Sequence, residues 1–122
     1  MSHVPHEPDP AAAPLPMETM PEDVRDRLQS ADPPLLLDCR TPAEREVACI
    51  EPSLHVPMQE IEQHLETLTR EPDRAIVVYC HHGVRSLRVA RALRGVGLHR
   101  TQSMIGGIER WSVTIDPAVP RY

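Results

Sequence analysis

The sequence predicts an α/β domain with a mostly parallel central sheet and helices on both faces. Two observations carry this. Short apolar runs, Leu35–Leu37 and Ala75–Tyr79, alternate with segments whose apolar residues recur at helical spacing. The 122 residues leave room for one core of ordinary size. Strands separated by helices pair in parallel, because each crossover returns the chain to the same end of the sheet.

Residues 1–16 contain Pro5, Pro8, Pro10, Pro14 and Pro16 around an alanine run. Nothing there forms an apolar face, so an extended tail is expected, with His3 and His6 solvated and the domain spanning 17–122. Thr19-x-x-Glu22 has the form of a capping box, with Pro21 in the first turn and Val24 and Leu28 on one face. Asp32-Pro33-Pro34 ends that helix. Leu35 to Cys39 reads as a buried strand that turns polar at its C-terminal end. Thr41-Pro42-Ala43-Glu44 is a second capping box, with proline at the first helical position.

Leu54-His55-Val56 is a short extended piece closed by Pro57. Met58, Ile61, Leu65 and Leu68 then recur at helical spacing. Ala75–Tyr79, β-branched and apolar, is the strongest strand. A loop from Cys80 to Val84 leads into a helix ending near Gly95. Val89, Ala90, Leu93 and Val96 are expected on its inner face, with Arg88, Arg91 and Arg94 opposite. A strand at Thr101–Met104 and a helix at 107–111 complete the chain.

Composition removes several function classes. A formal charge of -5, no Phe, one Trp and two Tyr argue against nucleic-acid binding. No apolar run is long enough to span a membrane, and no signal peptide is read at the N-terminus. Three cysteines, an odd number without zinc-site spacing, predict neither a disulfide framework nor a structural metal. A reducing, cytoplasmic setting is expected, and no cofactor is implied.

In parallel α/β folds ligands bind beyond the carboxyl ends of the strands, where Asp38-Cys39-Arg40 and the segment from Cys80 fall. Cys80 stands at a strand end just ahead of a helix N-terminus, so backbone N–H groups can converge on its sulfur. Such a setting favours the thiolate, the nucleophilic form. Gly83 lets the loop turn, and Arg85 closes it with a fixed cation. Asp38 and Arg40 are read as braces for the loops. His81 and His82 either recruit anions in a pH-dependent way or contribute only backbone. Cys39 reads as core filler and Cys49 has no clear place, although either is a candidate redox partner for the Cys80 thiol.

Cys80-His81-His82-Gly83-Val84-Arg85-Ser86 resembles the active-site loop of the rhodanese family, the thiosulfate sulfurtransferase-like domains. Asp38-Cys39-Arg40 with Glu44 is similar to the family's Asp-x-Arg-x-x-x-Glu segment, and Gly106-Gly107 with Trp111 to its Gly-Gly-x-x-x-Trp signature. The ending from Ile115 to Tyr122 resembles rhodanese domains fused to enzymes that activate sulfur-carrier proteins.

The resemblance implies a single-domain sulfurtransferase. Cys80 would take the outer sulfur of a small anionic donor such as thiosulfate and hold it as a persulfide. A thiol, cyanide or sulfur-carrier acceptor would then remove it. Arg85 would position loop and donor, and the amides of His81, His82, Gly83, Val84, Arg85 and Ser86 would stabilise the persulfide anion. Asp38, Arg40 and Glu44 would give structural support, and the arginine strip after the loop could dock an acidic acceptor protein.

Two other readings exist on this scaffold. A non-enzymatic binding module commonly lacks the loop cysteine. A phosphatase or arsenate reductase carries one residue more between cysteine and arginine than the four found here, His81 to Val84. The chain also departs from the family pattern at Arg45, where an aromatic residue is common, and at Cys49-Ile50-Glu51-Pro52-Ser53. Pro52 fixes φ where the family carries glycine, so this turn is expected to take its own path.

Overall fold

A computed structural model describes residues 15–122. The expected tail falls almost wholly on residues 1–14, outside the described residues. Leu15 and Pro16 are tied to the domain. The Arg94 guanidinium donates to both of their carbonyls, at 2.5 and 3.0 Å, and the Gln102 amide donates to Pro16 at 3.0 Å.

Five parallel strands form one sheet in the order β1-β5-β4-β2-β3. They are β1 (Glu18–Thr19), β2 (Leu35–Asp38), β3 (Leu54–His55), β4 (Ile76–Tyr79) and β5 (Thr101–Met104). The helices are α1 (Pro21–Leu28), α2 (Pro42–Val47), α3 (Leu65–Leu68), α4 (Val84–Gly95) and α5 (Gly107–Thr114), with a 3₁₀ helix at Met58–His64 running into α3.

Side chains alternate across the sheet and build two cores. Leu37, Ile76 and Val78 face Ile61, Leu68, Val89 and Leu93 of the 3₁₀ helix, α3 and α4. Leu36, Val77 and Tyr79 face Val24, Ile108 and Trp111 of α1 and α5. Because both faces are covered, β4 is buried at every position, which is why its run carries no polar alternation. Truncating Leu36 or Leu37 to alanine would cost about 2–5 kcal/mol.

Three local expectations are corrected. The Thr19–Glu22 capping box does not form: Met20 is the N-cap of α1 without a side-chain cap bond, and Thr19 lies in β1 opposite Met104. Sheet pairing claimed the residue that the local pattern offered to the helix. Val96 is exposed rather than inward, because α4 stops at Gly95 and the chain turns there; Leu98 fills the core position instead. Arg94 leaves the expected basic strip to bind the β5 and N-terminal backbone, while Arg88 and Arg91 stay exposed. The second capping box forms fully, with Thr41 accepting from the Glu44 amide. The Glu51–Pro52 bond is cis.

No helix among the described residues is long and apolar enough to cross a membrane. Among the same residues no group of three or more His, Cys, Asp or Glu is placed to hold a metal ion.

Candidate active site

The site begins where β4 ends. Cys80 follows Tyr79, the loop turns through Gly83 at φ +104°, and α4 starts at Val84. That φ excludes a β-carbon without strain, and the backbone of Gly106 closes in on the same side. The turn brings two amides back onto the sulfur. Gly83 N–H donates to Cys80 Sγ at 3.1 Å and Ser86 N–H at 3.3 Å. The thiol meets Ser86 Oγ at 3.4 Å, and Ser86 Oγ lies 2.7 Å from Ser103 Oγ on β5. Cys80 is only 1% exposed, whereas His82 and Val84 on its loop are exposed.

The loop is fixed from behind by α5. Ile108 N–H donates to the Cys80 carbonyl at 2.9 Å and Glu109 N–H to the His81 carbonyl at 3.1 Å. These are first-turn amides of α5, which have no partner inside their own helix. The approach requires Gly107, since a β-carbon there would run into the Cys80 and His81 carbonyls. A helix N-terminus is thereby docked directly onto the backbone of the Cys80 loop.

Arg85 does not face the sulfur through its donors. Its guanidinium is clamped on Glu44 of α2, at 2.6 Å to Oε1 and 2.9 Å to Oε2. This bidentate pair holds the Glu44 carboxyl at about 2 and the guanidinium above its ordinary range, through the same hydrogen bonds. The Tyr122 hydroxyl donates to Glu44 Oε2 at 2.7 Å and accepts from Arg40 Nη1 at 2.8 Å. Burial, ahead of its polar partners, pushes the Tyr122 hydroxyl up to about 12, so it remains protonated at neutral pH.

Beneath these lies a buried charge pair. Arg40 is fully covered and donates to both Asp38 oxygens, at 2.9 and 2.8 Å, and to the Ala48 carbonyl at 2.6 Å. Tyr79 and Arg45 each add a bond to Asp38 Oδ2 at 3.1 Å. Burial opposes both charges, but the bonds between Asp38 and Arg40 outweigh it, lowering the carboxyl and raising the guanidinium. The pair ties the end of β2 to α2 and to the chain's last residue.

The His81 ring stacks on Tyr122 at 3.9 Å and 9°, and lies 3.9 Å from the His82 ring. Burial, then the neighbouring His82 charge, lowers its pKa. Cys39 is buried on the α4 side of the sheet, where burial holds its thiol up at about 12. Cys49 lies apart, its thiol 3.8 Å from the Glu51 carboxylate.

The structure thus gathers Cys80, His81, His82 and Gly83 of the loop with Val84, Arg85 and Ser86 of the first turn of α4, and Glu44, Arg40 and Asp38 form a connected chain behind Arg85. Of the expected amides, those of Gly83 and Ser86 reach the sulfur. Sequence reasoning assigned no role to Tyr122 or Ser103. Tyr122 arrives from the far end of the chain and carries no local signal. Ser103 had one: Thr101-Gln102-Ser103-Met104 is polar for a buried strand, so a polar face had to serve something on α4. A surface concavity lined by Asp32, Pro33, Glu71, Pro72, Asp73 and Arg74 lies at the opposite end of the sheet.

Comparison with known proteins agrees with this fold. The family model of the Rhodanese-like domain matches residues 20–114. A sulfurtransferase of Allochromatium vinosum is 34% identical over 91 residues, covering 75% of this chain and 83% of that protein. The adenylyltransferase and sulfurtransferase MOCS3-2 of Zea mays is 33% identical over 96 residues, 75% of this chain; the match spans only 20% of the maize protein. The human single-domain sulfurtransferase TSTD1 superposes with a TM-score of 0.74 at 21% identity, covering 81% of this chain and 97% of that one. With the match running from α1 to the last residue of α5, this chain belongs to the rhodanese-like domain family.

Proposed function

We propose that the protein is a sulfurtransferase in which Cys80 carries the sulfur. The observation that supports this most is the convergence of the Gly83 and Ser86 amides on Cys80 Sγ at 3.1 and 3.3 Å. Two fixed donors at Cys80 Sγ stabilise negative charge on the sulfur that attacks the donor and that leaves when an acceptor takes the outer sulfur.

The Cys80 thiolate attacks the outer sulfur of thiosulfate. A new S–S bond forms, the S–S bond of the donor breaks with its electron pair, and sulfite leaves. An acceptor nucleophile then attacks the terminal sulfur and returns the Cys80 thiolate, a ping-pong sequence. Arg85 serves as the loop's anchor on Glu44, and donor attraction falls chiefly to the loop amides and the α4 N-terminus. His82 and Val84, exposed on the loop, meet donor and acceptor first. The acceptor is a thiol, cyanide or an acidic sulfur-carrier protein approaching past Arg88 and Arg91, and a cytoplasmic setting keeps Cys80 reduced.

Thiosulfate:cyanide kinetics test the reading. Parallel lines in double-reciprocal plots are expected for the wild type, and no turnover for Cys80→Ser. Intersecting lines, or turnover surviving in Cys80→Ser, would refute it. Phosphatase activity without sulfur transfer would favour the phosphatase reading, and absence of both a binding module.

A further inference from the structure

Cys39 follows β2 as Cys80 follows β4. The two strands pair in parallel with Asp38 opposite Tyr79, and the Cys39 N–H continues the ladder to the Tyr79 carbonyl at 3.2 Å. The next position in register therefore sets Cys39 beside Cys80. Both belong to the same core cluster, with Leu37 and Val78 one step earlier on that face. Neighbouring strands run about 4.7–4.9 Å apart. Disulfides close across Cα separations of roughly 4.4–6.8 Å. All three cysteines are free thiols.

We propose that Cys39 is a resolving thiol for Cys80, closing a disulfide with it when a hydroperoxide oxidises the reactive sulfur. In the first step the Cys80 thiolate attacks hydrogen peroxide. An S–O bond forms, the O–O bond breaks, and hydroxide leaves. In the second, the Cys39 sulfur attacks Cys80 as its S–O bond breaks, and the hydroxyl departs with the Cys39 proton as water. A dithiol reductant reverses the product.

Burial keeps Cys39 protonated, with the neighbouring Cys80 charge as the next cause. A protonated thiol is a poor nucleophile, so Cys39 leaves the ordinary sulfur cycle alone and responds to the more electrophilic sulfenic acid. Closing the disulfide keeps Cys80 from advancing to the sulfinic acid, which thiols do not repair. Cys49, at the surface beside Glu51, is outside this arrangement. The inference rests on Cys80 being the reactive sulfur, and on no particular donor.

The test treats the reduced full chain with stoichiometric hydrogen peroxide, followed by intact mass and non-reducing peptide mapping. Wild type and Cys49→Ser are expected to lose two hydrogens, with the Cys39 and Cys80 peptides linked, and to recover all thiols in dithiothreitol. Cys39→Ser and Cys39→Val are expected to gain oxygen on Cys80, with part of it persisting in dithiothreitol. Trp111 fluorescence checks that each variant is folded, and if neither Cys39 variant folds the wild-type peptide map alone decides. Wild-type Cys80 that gains two or three oxygens without a cross-link would overturn the proposal. So would a cross-link that survives both Cys39 substitutions. Cys80 left unmodified by peroxide would overturn it too, while the gain of sulfur from thiosulfate separately decides the sulfurtransferase reading.

Discussion

Glu44 binds the Arg85 guanidinium with both carboxylate oxygens and takes the Tyr122 hydroxyl on one of them. The ordinary value of 4.5 for this carboxyl falls to about 2 in the folded chain. A depressed acid stabilises the fold fully above its ordinary value, and the contribution disappears as pH falls from 4.5 through about 2. Urea unfolding from about pH 5 to about pH 2 should therefore show a loss in the wild type that Glu44→Gln lacks, worth roughly 1 kcal/mol after solvent screening. Equal slopes would show that the clamp adds nothing. The same clamp predicts the behaviour of Arg85. Lysine keeps the charge but loses the fork, and alanine loses both. If Arg85 anchors the loop, both variants lose about 100-fold in kcat/KM with thiosulfate and with a neutral persulfide donor alike. A rise in KM for thiosulfate alone, with kcat preserved in Arg85→Lys, would instead assign Arg85 to donor binding.

At the scale of elements, α2 and α5 carry the site. Thr41→Ala removes the cap of α2 and should cost about 1 kcal/mol in thermal or denaturant unfolding. Because Glu44 sits in that capping box, transfer activity should fall with it. Gly107→Ala drives a β-carbon toward the Cys80 and His81 carbonyls, so α5 must retreat from the loop. It should destabilise the domain by at least about 2 kcal/mol and depress activity further than its stability loss explains. Near-wild-type stability in this variant would mean that α5 does not dock as described.

These elements also show what the sequence discloses. The Thr41 box was legible because its two bonds are made within four residues. The Thr19 pattern looked the same, yet β1 takes Thr19 into the sheet, a choice made by the distant Met104. The helical period placed Val89, Ala90 and Leu93 correctly and failed at Val96, which lies one residue past the end of the helix. Periodicity describes a helix's faces but not its last turn.

For the whole molecule, the order of strands and helices foretold a parallel sheet covered on both sides, and alternation along β2 and β4 yields two cores. The observed strand order then sets the ends of β2 and β4 side by side, which puts Asp38, Cys39, Arg40 and Cys80 together at the carboxyl end of the sheet. Contacts between distant segments were not legible: Arg40 to Tyr122 and Arg94 to Leu15. Each depends on where the chain returns, not on any local pattern. A domain whose single tryptophan is buried in one core while β2 and β4 serve both should unfold as one unit. Trp111 fluorescence and far-ultraviolet circular dichroism should therefore give coincident denaturant transitions, and separate midpoints would split the two cores.

The central claim is that Cys80 itself receives sulfur. It is tested most directly by intact mass of the reduced chain before and after thiosulfate, with peptide mapping under non-reducing conditions. The account predicts a gain of one sulfur atom, located on the Cys80 peptide, removed by cyanide and absent from Cys80→Ser. An unchanged mass, or a sulfur found on Cys39 or Cys49, would contradict it.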